Sequence, residues 1–140
     1  MSDRRRLYLD TSAYLEVLLG DRRSPGLKKD AAGAELLSSV LLVLEARRNL
    51  VRLARQKLLD ATQYSACLSQ VDSDIDRFNL RDLTLDLCGA GPQPLVATPR
   101  SLDLVHLRTA LWFHDEQPID RFVTLDARQE QAAREMGLPV

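Results

Sequence analysis

Two apolar runs of one shape lie near opposite ends of the 140-residue chain: Leu7-Tyr8-Leu9-Asp10 and Phe122-Val123-Thr124-Leu125-Asp126. Each lacks a helical period and ends in an aspartate just where a helix begins, so each reads as a buried strand. A third strand is expected over 34–37, and helical stretches separate all of them. Strands alternating with helices predict an α/β fold, a mostly parallel sheet covered on both faces. In such a sheet the carboxyl ends share one edge, and that edge is where open α/β sheets bind ligands. Asp10 and Asp126 are therefore expected at one rim.

The remaining elements follow from caps and spacing. Ser12 is expected to cap a helix over 13–19 that Gly20 closes, and 21–33 reads as a loop or short helix. Ser39 is expected to cap a long helix over 40–58, and Asp60 the next, where Tyr64, Leu68, Val71 and Ile75 form one apolar face. Residues 78–87 read as a short strand then a turn. Residues 88–99 read as irregular, with a turn of helix beginning in 94–97. Ser101 is expected to cap a helix to about 114, with Leu104, Leu107 and Leu111 on one face. The strand ending at Asp126 leads into a helix over 127–136 stopped by Gly137, and 138–140 is expected to add an edge strand.

Nineteen basic residues against 20 acidic give a net charge of −1, which excludes a protein that coats nucleic acid by bulk charge. A chain that is 45% hydrophobic and 28% charged is not of the disordered class, and its length predicts a single domain over 1–140. Cys67 and Cys88 belong to no CxxC and read as small buried side chains in a reducing compartment. The basic start through Arg6 has no apolar core behind it, and no run approaches the ~20 apolar residues of a membrane span. A cytoplasmic protein without a membrane segment is expected.

Two further acids stand in apolar company. Glu45 follows Val40-Leu-Leu-Val-Leu44, and Asp103 lies in Ser101-Leu-Asp103-Leu-Val-His-Leu107. Unpaired carboxylates in apolar surroundings are costly, so four such acids call for a neutralising partner. A divalent cation with oxygen ligands supplies one; Mg²⁺ or Mn²⁺ fits. Each acid also has a plainer reading. Asp126 suits a capping box with Gln129, Asp103 suits a helix start, Asp10 suits a turn, and Glu45 suits a surface pair with Arg48.

Taken in order, Leu9-Asp10-Thr11-Ser12-Ala13-Tyr14-Leu15, Ser38-Ser39 with Glu45, Ser101-Leu102-Asp103 through Ala110, and Val123-Thr124-Leu125-Asp126 resemble the motifs of PIN domains. The similarity is greatest to the VapC-like toxins of toxin–antitoxin pairs, and it runs from Leu7 to about Val140. The chain departs from that pattern at Arg108, where a small residue is usual, and in its Gly- and Pro-rich stretch over 89–99. The resemblance implies a three-layer α/β/α sandwich around four to five strands. It also implies a Mg²⁺- or Mn²⁺-dependent endoribonuclease whose acidic pocket is Asp10, Glu45, Asp103 and Asp126. In that pocket Asp10 and Asp103 would be the principal metal ligands. Asp126 would act on a second ion or through water, and Glu45 would orient or deprotonate the attacking water. Thr11, Ser12 and Thr124 would steady the carboxylates. The implied partners are RNA, a VapB-like antitoxin laid along an apolar groove near Leu15, Leu18 and Leu19, and a second copy in a homodimer.

Arg48, Arg52 and Arg55 share a helical face with Glu45, with Arg47 beside them, and form a candidate RNA-binding stripe. His106 and His114 lack the spacing and Cys partners of a zinc site and read as core or surface histidines. Asp72, Asp74 and Asp76 begin like a calcium loop, but Arg77 and Leu83 occupy its Gly and Glu positions. They read as the wet side of their helix. The competing function is a non-catalytic PIN-like module that binds protein or RNA.

Overall fold

The computed structural model describes residues 3–20, 22–89, 96–97 and 100–140. Four strands, β1 (Arg6–Leu9), β2 (Glu35–Ser39), β3 (Phe78–Arg81) and β4 (Arg121–Val123), form one sheet in the order β3-β2-β1-β4, and all pairings are parallel. Helices α1 (Thr11–Leu19), α2 (Leu27–Ala32), α3 (Leu41–Arg55) and α4 (Ala61–Ile75) precede β3. Helices α5 (Leu85–Gly89) and α6 (Ser101–Glu116) lie between β3 and β4, and α7 (Ala127–Glu135) follows. This is the expected α/β sandwich.

Side chains alternate across a strand, and each face of the sheet builds its own core. Leu7, Leu9, Leu36 and Val123 pack with Ala13, Tyr14, Ala46, Leu50 and Val71 from α1, α3 and α4. Tyr8, Leu37 and Phe122 pack with Leu107, Ala110, Ala132 and Ala133 from α6 and α7. Tyr8 and Phe122 are register partners and their rings stack at 5.3 Å. The strand order reverses at β1, whose neighbours are β2 and β4, so the crevice beyond the carboxyl ends of β1 and β4 is the switch point of the sheet.

Several local expectations are corrected. Asp10, not Ser12, caps α1: its side chain accepts from the Ala13 amide, and Ser12 instead donates to Asp10 Oδ1 at 2.7 Å. Ser39 ends β2, though its hydroxyl still accepts from the Leu41 amide. Ser101 is the first helical residue of α6, after Arg100. Asp60 caps α4 with a full capping box to Gln63. Residues 138–140 form no strand, yet the Phe122 amide donates to the Pro139 carbonyl at 2.7 Å, and Gly137 at φ +83° lets the chain reverse so that Leu138 enters the core. Cys88 is exposed and Cys67 half-buried, against the expectation of two buried thiols. Arg108 donates through Nε to the Leu87 carbonyl, which ties α6 to α5. The turn expected over 94–97 falls largely outside the described residues. Among the described residues no helix is long and apolar enough to cross a membrane.

Candidate active site

The sheet carries Asp10 to the end of β1, where its amide bonds the Val123 carbonyl of β4 at 3.2 Å. Asp126 caps α7 just past β4, accepting from the Arg128 amide. Ser12 and Thr124 knit the two together. The Ser12 hydroxyl accepts from the Leu125 amide at 2.9 Å and lies 3.3 Å from the Thr124 hydroxyl, which accepts from the Asp126 amide. Gln129 completes no capping box. Its side chain crosses to the Asp103 carbonyl at 2.8 Å and fixes the start of α6 against α7.

The electrostatics follow from this crowding. Asp10 is 6% exposed. Burial pushes its carboxyl above the ordinary range, against hydrogen bonds from Thr124 and Ser12. Asp103 is also raised, by partial burial first, then by the negative charges of Asp126 and Asp10, with Arg100 opposing. Three carboxylates from β1, α6 and the β4–α7 turn thus sense one electrostatic neighbourhood.

Glu45, on the second turn of α3, is held differently. Thr11 donates to its Oε1 at 2.6 Å, and His106 Nε2 lies 2.9 Å from the same atom. Burial would raise this carboxyl, but the bonds from His106 and Thr11, with the charges of His106 and Arg48, outweigh it and hold the group low. Glu45 is therefore no exposed partner of Arg48.

His106 belongs to this neighbourhood, although its spacing in the sequence points to no site. It is 3% exposed and touches Tyr8 and Thr11 as well as Glu45. One signal of its role is local: it falls three residues after Asp103, on the same helical face. Asp74 departs from its expected place on the wet side of α4. It is buried, with Tyr14 donating to it at 2.7 Å and Gln70 at 2.8 Å.

The arginines divide. Arg48, Arg52 and Arg55 line an open depression of about 450 Å³ with Val51 and Gln56. Arg47 turns away to Asp72 of α4 at 2.6 Å.

Among the described residues, no three His, Cys, Asp or Glu side chains are placed to enclose a metal ion as they stand. Asp10 and Asp126 each commit one carboxylate oxygen to a helix cap, and Glu45 commits Oε1 to Thr11 and His106. The donor chemistry still suits Mg²⁺ or Mn²⁺. These are hard oxygen groups with two raised carboxyls, and Mg²⁺ takes only one or two carboxylates while keeping several waters.

A parallel α/β/α sandwich with acids at its switch point is PIN-like in architecture. The chain resembles the VapC-like PIN ribonucleases over nearly its whole length. It is 27% identical over 137 residues to ribonuclease VapC35 of Mycobacterium tuberculosis, with the same figures in strains CDC 1551 and H37Rv, a span of 96% of this chain and 94% of that relative. No protein-family model matches the chain.

Proposed function

We propose that this chain is a single-domain, divalent-metal-dependent endoribonuclease, the toxin of a type II toxin–antitoxin pair acting in the cytoplasm. One observation carries the reading: at the switch point Asp103 is raised by partial burial first and then by the charges of Asp126 and Asp10, with Arg100 opposing. That is the strain a divalent cation relieves, and the whole-length similarity to a ribonuclease supports it.

Asp10 and Asp103 would hold the ion, with Asp126 beside them or acting through water. When bound, Mg²⁺ or Mn²⁺ supplies an activated water and screens charge developing on the phosphate. Glu45, held ionised, would accept a proton from the attacking water through its carboxylate. Thr11, Ser12 and Thr124 would keep the carboxylates from rotating. Arg48, Arg52 and Arg55 would take the RNA backbone outside the pocket. Arg47 contributes least, because Asp72 already engages it.

The antitoxin would cover the surface of α1. Leu15 and Leu18 pack at the core margin and Leu19 is exposed. A pocket of about 360 Å³ opens there, lined by Val17, Leu18, Cys67 and Phe78, with Asp74 and Arg77 among its polar groups. A homodimer is read as the working form, and exposed Leu83 and Leu85 beyond β3 offer apolar surface to a second copy.

The test is cleavage of single-stranded RNA by the purified chain with Mg²⁺ or Mn²⁺. Cleavage lost on adding EDTA and in Asp10→Asn supports the enzyme. RNA binding without cleavage in either metal would leave the non-catalytic module.

A further inference from the structure

We propose that His106 is a positioning residue for Glu45, held in one orientation by the Tyr8 hydroxyl and presenting Nε2 to the Glu45 carboxylate. The proposal rests on the ribonuclease reading, which makes Glu45 part of the site.

The geometry forms one buried chain across three elements. Tyr8 of β1 is fully buried, and its hydroxyl lies 2.8 Å from His106 Nδ1. His106 of α6 lies 2.9 Å from Glu45 of α3 through Nε2. Thr11 of α1 gives its hydroxyl hydrogen to the same Glu45 oxygen. An ionised carboxylate only accepts, so Nε2 must carry a hydrogen to bond it. In the neutral ring Nδ1 is then an acceptor, and the Tyr8 hydroxyl is the donor that fits it. An ordinary phenol is protonated at neutral pH, so it has that hydrogen to give.

The ring has little freedom to turn. Tyr8 meets it edge-on with centroids 5.9 Å apart. Both bonds to Glu45 fall on Oε1, and among the described residues none engages Oε2. One oxygen is thus anchored while the other is left for the reaction. Partners of this kind orient a site residue and typically matter about 10- to 100-fold in activity or metal affinity.

The experiment compares the full chain with His106→Leu, His106→Gln and Tyr8→Phe, after circular dichroism shows that each folds. Gln can place an amide donor near the position of Nε2; Leu cannot. The readouts are kcat and KM on single-stranded RNA, Mn²⁺ affinity by calorimetry, and the ring tautomer by long-range proton–nitrogen NMR. His106→Leu should lose about 10- to 100-fold in kcat with KM unchanged, and His106→Gln should recover most of it. At a pH where the ring is neutral, wild type should show the Nε2–H tautomer, and Tyr8→Phe a mixture. A folded His106→Leu that keeps wild-type kcat and Mn²⁺ affinity overturns the proposal alone, as does a His106→Gln no better than Leu. A wild-type chain that neither cleaves RNA nor binds Mn²⁺ overturns the ribonuclease reading and the proposal with it.

Discussion

His106 Nε2 stands 2.9 Å from Glu45 Oε1, joining α6 to α3 across 61 positions of sequence. This bond separates two kinds of carboxylate in one site. Glu45 has partners that favour its charge; Asp10 and Asp103 are pushed toward the neutral form.

The Asp10→Asn variant should be more stable than wild type when no metal is present. The raised carboxyl means the folded state binds its proton more tightly than the unfolded chain. Stability from this group is full below the ordinary aspartate range and is lost as pH rises through the raised value. Asn keeps the cap on α1 while removing the charge. At pH 7 in EDTA, calorimetry should show a higher Tm; at this size each kcal/mol is worth about 3–5 °C. Asp103→Asn should follow with a smaller gain, because its carboxyl is half open to solvent. A lower Tm in both would contradict the electrostatic account. Added Mn²⁺ should raise the wild-type Tm more than that of either variant.

Glu45→Gln should respond with the opposite sign. Its lowered carboxyl contributes stability above the ordinary glutamate range, lost as pH falls through the folded value. Exchanging a charged acceptor for a neutral one should cost about 1 kcal/mol at pH 7. Urea titrations at pH 7 and pH 3 should show that gap narrowing in acid.

Substitution along α3 should act on binding. Arg48→Ala, Arg52→Ala and Arg55→Ala should each raise KM for RNA and reduce the log–log salt slope by about 0.7 for every phosphate no longer neutralised. Arg47→Ala should leave that slope near wild type, since its charge is spent on Asp72. Equal effects from all four would show that the stripe is not a discrete surface.

Tyr14→Phe tests the buried pair beneath α1. Its hydroxyl donates to Asp74, and burial together with that carboxylate raises the phenol pKa far above normal. Removing it leaves Asp74 with Gln70 at 2.8 Å and Arg77 at 3.9 Å. A decrease of about 1–3 kcal/mol is expected by urea unfolding, with RNA cleavage nearly unchanged.

The strands were legible because their information is local. Leu7-Tyr8-Leu9 and Phe122-Val123 are apolar on both sides, as strands between two helical layers must be; Asp10 directly follows β1, whereas β4 ends at Val123, three residues short of Asp126. Asp60 was equally readable as the cap of α4, since a cap and the turn it closes lie within a few residues; the return bond from Gln63 is the structure's addition. Cap assignments failed where two candidates competed. Asp10 and Ser12 both suit the start of α1, and only the bonds from the Leu125 amide and to Asp10 show that Ser12 is occupied elsewhere.

By itself, then, the sequence determined the alternation of strands and helices and the shared edge of Asp10 and Asp126. These depend on periodicity and neighbours a few residues apart. Tertiary structure alone decided that Asp74 is buried, that Arg47 is spent on Asp72, and that His106 stands between Tyr8 and Glu45. A polar side chain's role is set by whichever partner the fold brings within about 3 Å, and spacing along one chain does not record that meeting.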